Sequence, residues 1–142
     1  MKFVIDTNIL LSALIKDSIT REILATAGWS FYYPEIAFHE VRKYKALVLK
    51  KSGVREQEYN ELLNDLVTCI VLISEEQIKQ YLEEANKLIC HRDKNDVVFL
   101  ATALSIDNCM IWSNDKDFFG QDKVITLKTK DIIGMIKTFS KK

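Results

Sequence analysis

The chain has 142 residues, of which 48% are hydrophobic and 28% are charged. This composition is that of an ordinary globular domain and excludes a disordered or membrane-embedded protein. The 20 basic and 20 acidic side chains cancel, so no overall positive charge indicates binding to nucleic acid. Three widely spaced cysteines do not suggest a disulfide framework, and the apolar start meets Asp6 too early for a secretory signal, so we expect a cytoplasmic protein.

Hydrophobic periodicity and turn residues predict strands that alternate with helices. Runs of β-favouring residues predict strands at 3–5, 29–33, 68–73, 109–112 and 124–127. Apolar residues at helical spacing predict helices at 9–15, 18–27, 35–52, 56–66, 77–89, 97–104 and 129–139. This alternation is typical of an α/β fold with a mostly parallel sheet covered on both faces by helices.

Carboxylates closely follow two of these predicted strands. Asp6 comes immediately after the first strand, and Asp115 comes shortly after the fourth. All strands of a parallel sheet present their carboxyl ends to one edge, where open α/β sheets bind ligands. We therefore expect Asp6 and Asp115 to lie at the same edge, provided that their strands are neighbours. Asp96 joins them if the apolar helix after it begins at that edge.

Further acids can reach this edge, namely Glu40 near the start of the helix after the second strand, Asp93 and Asp117. Two unit charges about 4 Å apart repel by about 4 kcal/mol at an effective dielectric near 20. Three or four converging carboxylates therefore favour a bound cation, and oxygen ligands suit Mg²⁺ or Mn²⁺. The alternative for each acid taken singly is a helix cap or a solvated surface charge.

Structural interpretations remain open for individual acids. Asp6 can cap the helix that begins near residue 9 as well as hold a cation, and the following Thr7 and Asn8 are capping residues too. Asp93 and Asp96 have the spacing of a capping box, so we expect one of them to be structural. Asp96 is the preferred ligand because it directly precedes the buried helix. We expect Asp117 to support the site or to be a conditional metal ligand, because Asp115 and Asp117 should point in different directions if the chain continues there as a helix.

These segments together resemble the PIN-domain family of metal-dependent ribonucleases, which includes the toxins of VapBC-type toxin-antitoxin pairs. The resemblance covers nearly the whole chain. It rests on residues 3–10, on Glu40, on Asp96 before the apolar run 99–104, and on the segment 113–117. The four acids of the family fall on Asp6, Glu40, Asp96 and Asp115, with Asp117 as a frequent fifth. Ser113-Asn114-Asp115 stands where many relatives have Thr-Gly-Asp.

The resemblance implies one PIN-like nuclease domain over residues 1–142, with three α/β/α layers around a central sheet of four or five strands. It also implies cleavage of single-stranded RNA, a homodimer, and an antitoxin protein that inserts into the acidic site. We expect Asp6, Asp96 and Asp115 to hold Mg²⁺ or Mn²⁺, which would activate the attacking water. Glu40 would bind a second ion or orient that water.

Other residues are expected to support this chemistry. Asn8 and Ser113 would position waters, while the role of Asp93 stays open. A basic cluster surrounds Tyr44 and consists of Arg42, Lys43, Lys45, Lys50, Lys51 and Arg55. Such a run is usually a solvated helix face, but it follows the acidic residues, where a phosphate backbone needs neutralising contacts. We therefore expect Arg42, Lys43 and Lys45 to contact RNA.

Two alternative functions remain open. A phosphatase with Asp6 as nucleophile would want a second aspartate two residues further on, where this chain has Asn8. A catalytically silent RNA-binding or protein-interaction module would keep the fold, although the retention of all four acids argues against it. Four scattered glycines provide no phosphate-binding loop, and no Ser or Cys lies in the context of a nucleophile motif.

Overall fold

A parallel β-sheet forms the centre of the computed structural model, which describes residues 1–15, 18–89 and 94–140. In this part of the chain, five strands lie in the order β3-β2-β1-β4-β5, and every neighbouring pair is parallel. The strands are β1 (Lys2–Ile5), β2 (Ser30–Pro34), β3 (Val71–Ile73), β4 (Cys109–Trp112) and β5 (Thr126–Leu127). The prediction of a mostly parallel sheet is confirmed.

Helices connect the strands on both faces of the sheet. Between β1 and β3 the chain forms α1 (Thr7–Ser12), α2 (Ile19–Thr26), a 3₁₀ helix (Glu35–Ala37), α3 (Phe38–Lys43), α4 (Lys45–Ser52) and α5 (Glu56–Cys69). Between β3 and β4 it forms α6 (Glu75–Ile78), a 3₁₀ helix (Lys79–Tyr81), α7 (Leu82–Ile89) and α8 (Lys94–Leu104). A further 3₁₀ helix (Lys116–Gly120) precedes β5, and α9 (Thr129–Ser140) follows it.

The strand order explains the three layers. The connections from β1 to β2 and from β2 to β3 run in one direction across the sheet, and the connection from β3 to β4 runs back. Because such crossovers are right-handed, α2 and α5 lie on one face of the sheet and α7 and α8 on the other. The contacts agree, since α2 packs against α5 and α7 packs against α8. The predicted three-layer α/β/α architecture is confirmed. Within the described residues, no helix combines the length and apolar character that crossing a membrane requires.

Helix α8 is the most deeply buried helix, as its apolar sequence predicted. It contacts β1, β2 and β4, and its buried side chains include Phe99 and Leu100. On the strands, Phe31 packs between Phe3 and Trp112, with ring centroids 6.2 and 6.0 Å apart. This packing fixes β1, β2 and β4 relative to one another, and Asp96 lies in the first turn of the helix that contacts all three.

The single helix predicted over residues 35–52 is wrong. The chain instead forms a 3₁₀ turn and then α3 and α4, which are separated at Tyr44. The apolar residues of this segment do not share one face, because Val41 and Val48 are buried whereas Ile36 and Leu47 are exposed. The helix predicted over 77–89 is likewise divided into α6, a 3₁₀ turn and α7, and a capping box formed by Ser74 and Gln77 begins α6.

Two predicted strands are shorter than their β-favouring residues suggested. The strand predicted from residue 68 begins at 71, because α5 continues to Cys69 and the Thr68 hydroxyl donates to the Asp65 carbonyl at 2.6 Å. The strand predicted from residue 124 begins at 126. There the Gln121 side chain bonds both the backbone N–H and the carbonyl of Val124, at 2.9 and 2.7 Å, and these groups are therefore not used in the sheet.

Candidate active site

The polar site lies where the strand order reverses, between β1 and β4. Ile5 pairs with Trp112 as the last residue of each strand, so the next residues, Asp6 and Ser113, lie side by side at the carboxyl edge of the sheet. In open α/β sheets, this reversal leaves a crevice because the helices on its two sides diverge. Because β1 and β4 are neighbours, Asp6 and Asp115 lie at the same edge of the sheet, as expected from the sequence.

The Asp6 side chain is 5% exposed and holds together the segments around it. Its Oδ1 accepts a hydrogen bond from the Ile9 backbone N–H at 2.9 Å, so Asp6 caps α1, whereas Thr7 and Asn8 lie within the helix. Its Oδ2 accepts a hydrogen bond from the Ser113 hydroxyl, whose oxygen accepts another from the Asp115 N–H at 2.9 Å. Asp6 therefore caps α1 and also lies at the carboxyl edge of the sheet, as the sequence predicted.

Three carboxylates form a cluster beside this pair. Asp96, Asp115 and Asp117 each offer one oxygen, and these oxygens lie within 4.8 Å of one another. Asp115 caps the 3₁₀ helix, with its Oδ1 accepting a hydrogen bond from the Asp117 N–H at 2.9 Å. This tight turn brings Asp117 to the same side as Asp115, so the expectation that their side chains point in different directions is not met.

Glu40 reaches the site through contacts that the sequence analysis missed. The Thr7 hydroxyl donates to Glu40 Oε1 at 3.1 Å, and the Tyr33 hydroxyl lies 2.8 Å from Thr7 Oγ1 and 3.0 Å from the Ala37 carbonyl oxygen. Thr7 and Tyr33 are both buried. The signals available were the position of Thr7 directly after Asp6 and the alternation that turns Phe31 and Tyr33 to the same face of β2.

Negative charge accumulates around Asp6. Burial raises the pKa of Asp6 from 3.8 to about 6, and the charges of Asp115 and Glu40 act in the same direction. The hydrogen bonds from Ser113 and Ile9 oppose this shift. Burial also holds the pKa of Tyr33 well above its usual value, and the charges of Glu40 and Asp6 add to that effect. Asp6, Glu40 and Asp115 thus interact electrostatically.

The donor set of the acidic cluster suits a hard divalent cation. Two carboxylate charges at 4.8 Å repel by about 3–4 kcal/mol at an effective dielectric near 20. All three groups offer oxygen, which is the ligand that Mg²⁺ and Mn²⁺ prefer. Among the described residues, the cluster within this distance comprises Asp96, Asp115 and Asp117. Asp6 and Glu40 are adjacent to it through charge and hydrogen bonding rather than part of it.

The other residues singled out by the sequence differ in their surroundings. Asn8 is exposed in the first turn of α1, and Asp93 lies outside the described residues. Arg42 and Lys43 are exposed in the last turn of α3, with Lys43 Nζ 5.4 Å from the ring centroid of Tyr44. Lys45 instead forms an ion pair with Glu56 at 2.9 Å. Its charge is therefore partly compensated within the protein.

The chain is similar to known proteins in its sequence pattern and in its fold. A family model described as PIN domain matches residues 4–134. The chain is also similar to the crystal structure of VapBC2 from Rickettsia felis bound to a DNA fragment from their promoter, with a TM-score of 0.65 and 16% sequence identity. The match covers 90% of this chain and 98% of that chain. Curated proteins give no match. At this identity, the structural similarity supports the fold.

Replacing Asp6 by Asn is expected to stabilise the metal-free protein at neutral and higher pH. Below about pH 4 the Asp6 carboxyl group is protonated in both the folded and the unfolded state. Between about pH 4 and 6 only the unfolded chain loses this proton, so the stability of the wild type falls as the pH rises. A pKa of about 6 against 3.8 corresponds to a cost of about 3 kcal/mol above that window. Asn caps helices as well as Asp does, so the cap is retained.

Urea unfolding in EDTA measures this effect. Asp6→Asn should exceed wild type by up to about 3 kcal/mol at about pH 8, and the difference should vanish near pH 4. The exposed Asp122→Asn variant is the control and should follow wild type at both pH values. An Asp6→Asn variant less stable than wild type at about pH 8 would contradict the assigned cost of this buried charge.

Proposed function

The chain belongs to the PIN-domain family, and from that premise we propose that it is a metal-dependent ribonuclease that hydrolyses RNA phosphodiester bonds by attack of water. The observation that carries this proposal is the cluster of Asp96, Asp115 and Asp117, with carboxylate oxygens within 4.8 Å of one another. We place the nuclease domain over residues 1–142 and its action in the cytoplasm.

We assign each acid a role from its position and contacts. Asp96, Asp115 and Asp117 would hold Mg²⁺ or Mn²⁺, with the buried Asp6 completing the negative site. When bound, the ion would lower the pKa of a water molecule and stabilise the charge that develops on the phosphate. Ser113 would position Asp6, because its hydroxyl is already bonded to that carboxylate. Asn8 would orient water at the exposed side of the crevice, and a role for Asp93 stays a prediction.

Glu40 would orient the attacking water or hold a second ion. Its carboxylate accepts a hydrogen bond from the Thr7 hydroxyl, which in turn lies against Tyr33. The Tyr33 ring packs edge-on against Phe38 and Phe99, so this support is anchored in α3 and α8. The orientation of Glu40 would therefore be set before substrate binds.

Arg42 and Lys43 would contact the RNA backbone. Both are exposed in the last turn of α3, within one turn of Glu40. Phosphates flanking the cleaved bond need such cations, because the acidic cluster repels them. Lys45 would contribute less than Arg42 and Lys43, since it is paired with Glu56.

We further propose that the protein is the toxin of a toxin-antitoxin pair, acts as a homodimer and binds an antitoxin protein. The support is the fold that it shares with VapBC2 of Rickettsia felis. A catalytically silent module with the same fold is the alternative, and it would bind RNA without cutting it.

Cleavage assays with single-stranded RNA in Mn²⁺ test the proposed activity. Asp96→Asn and Asp115→Asn should each reduce the rate by about 100-fold or more, since ligand loss exceeds the 10- to 100-fold typical of outer-shell changes. EDTA should abolish cleavage, and Asp122→Asn should cut like wild type. Cleavage that survives both EDTA and the Asp115→Asn substitution would contradict a metal-dependent reaction. A folded wild type that binds RNA but never cuts it would favour the silent module.

Thr7→Val is expected to lower kcat by about 10- to 100-fold while leaving KM nearly unchanged, because Glu40 loses the donor that orients it. Thr7→Ser retains the hydroxyl group and should restore most of the rate. Steady-state kinetics on the same RNA, together with unfolding curves for both variants, provides the measurement. Equal losses in the two variants would show that packing at residue 7, rather than its hydrogen bond, controls the rate.

A further inference from the structure

An exposed aromatic ring with a cation above it lies on the 3₁₀ helix that also carries Asp117 of the acidic cluster. Phe119 is 41% exposed, and Lys128 Nζ lies 5.2 Å from the centroid of its ring. We propose that Phe119 and Lys128 form a nucleotide subsite, in which a base of single-stranded RNA stacks on the ring and Lys128 contacts a neighbouring phosphate. This inference rests on the proposed ribonuclease function and assigns a position for the substrate.

Phe119 belongs to the 3₁₀ helix that Asp115 caps. It lies two residues after Asp117 in this helix (Lys116–Gly120). The preceding residue, Phe118, is 1% exposed and anchors the turn in the core. The turn is therefore fixed from inside, while its second phenylalanine faces solvent.

Lys128 is held at the same sheet edge by bonds on both sides of it. The Leu127 carbonyl accepts a hydrogen bond from the Ser113 N–H at 3.0 Å, and the Thr129 N–H donates to Asn114 Oδ1 at 2.9 Å. Ser113 and Asn114 are the two residues directly before Asp115. The backbone of Lys128 is thus tied to the segment that presents the acidic cluster, and only its side chain is free to adjust.

The pair offers the two kinds of contact that single-stranded nucleic acids need. Every base has a face that can stack on an aromatic ring, and the attached phosphate needs a cation. In the described part of the chain, Lys128 Nζ has no carboxylate within 4.0 Å, so its charge is available to a ligand. A lone exposed apolar residue would need no explanation, but this ring is paired with a cation, and both residues lie on segments bonded to those that carry Asp115 and Asp117.

The test compares two ligands of equal length, oligoadenylate and a ribose-phosphate strand that lacks bases. Both have about ten nucleotide units, which is within the range that single-strand binding grooves cover. Cleavage kinetics are measured in Mn²⁺ and binding is measured by fluorescence anisotropy in EDTA. Phe119→Leu should raise KM and Kd for oligoadenylate about 5- to 100-fold with kcat nearly unchanged, as loss of one stacked base does. Binding of the strand without bases should stay unchanged, and Phe119→Tyr should restore binding of oligoadenylate.

Lys128→Gln should weaken binding of both strands equally and reduce the salt dependence by about one phosphate contact. Lys128→Arg should restore both. Val71→Ala is the matched apolar control, because Val71 is 51% exposed on β3 at the opposite edge of the sheet. Lys79→Gln is the matched charge control. Lys79 lines a surface pocket together with Ser105, which follows the last residue of α8, whereas Asp96 lies in the first turn of that helix. Both controls should behave like wild type.

The proposal is overturned if Phe119→Leu weakens binding of both ligands equally or of neither. It is also overturned if Phe119→Leu weakens binding of oligoadenylate no more than Val71→Ala does. A Phe119-dependent preference seen with oligodeoxyadenylate but not with oligoadenylate would overturn the assignment to RNA. If wild type cuts no RNA in Mn²⁺, the proposed function fails, while the binding comparison in EDTA still decides the subsite. If wild type cuts RNA and Phe119→Leu leaves KM unchanged, the subsite alone fails.

Discussion

The hydrogen bonds of the buried Asp6 carboxylate determine how the rest of the site is arranged. One oxygen starts α1 by accepting from Ile9, and the other accepts from the Ser113 hydroxyl at the end of β4. Ser113 in turn accepts from the N–H of Asp115, which caps the turn that carries Asp117. The position of Asp115, in the segment after β4, therefore depends on a carboxylate 109 residues earlier in the chain, since β1 and β4 are paired in parallel.

This arrangement concentrates negative charge where solvent is poorly able to screen it. Burial and the charges of Asp115 and Glu40 raise the pKa of Asp6, which means that the metal-free fold is less stable when this group is ionised. A fold selected only for stability would not place these acids together. A bound cation would offset the repulsion and add stability in proportion to its affinity, so the cost of the site and its proposed function share one physical origin.

The sequence carried enough information to predict the sheet edge but not the local geometry around it. The proximity of Asp6 and Asp115 could be predicted because parallel strands end at one edge of the sheet. Asp96 could be added to them because it begins an apolar helix. The support of Glu40 by Thr7 and Tyr33 was not predicted, because the position of Thr7 and the alternation along β2 do not by themselves indicate contacts between side chains 26 and 33 residues apart in sequence. The position of Asp117 depends on a 3₁₀ turn, and no periodicity of apolar residues indicates such a turn.

Calorimetric titration of Mn²⁺ into the protein at neutral pH most directly tests whether these carboxylates form a cation site. Wild type should bind the ion, Asp115→Asn should bind it at least about 10-fold more weakly, and Asp122→Asn should match wild type. A wild type that binds no Mn²⁺, or an Asp115→Asn variant with unchanged affinity, would contradict the account. In that case the repulsion among the acids would destabilise the fold, and no bound cation would offset it.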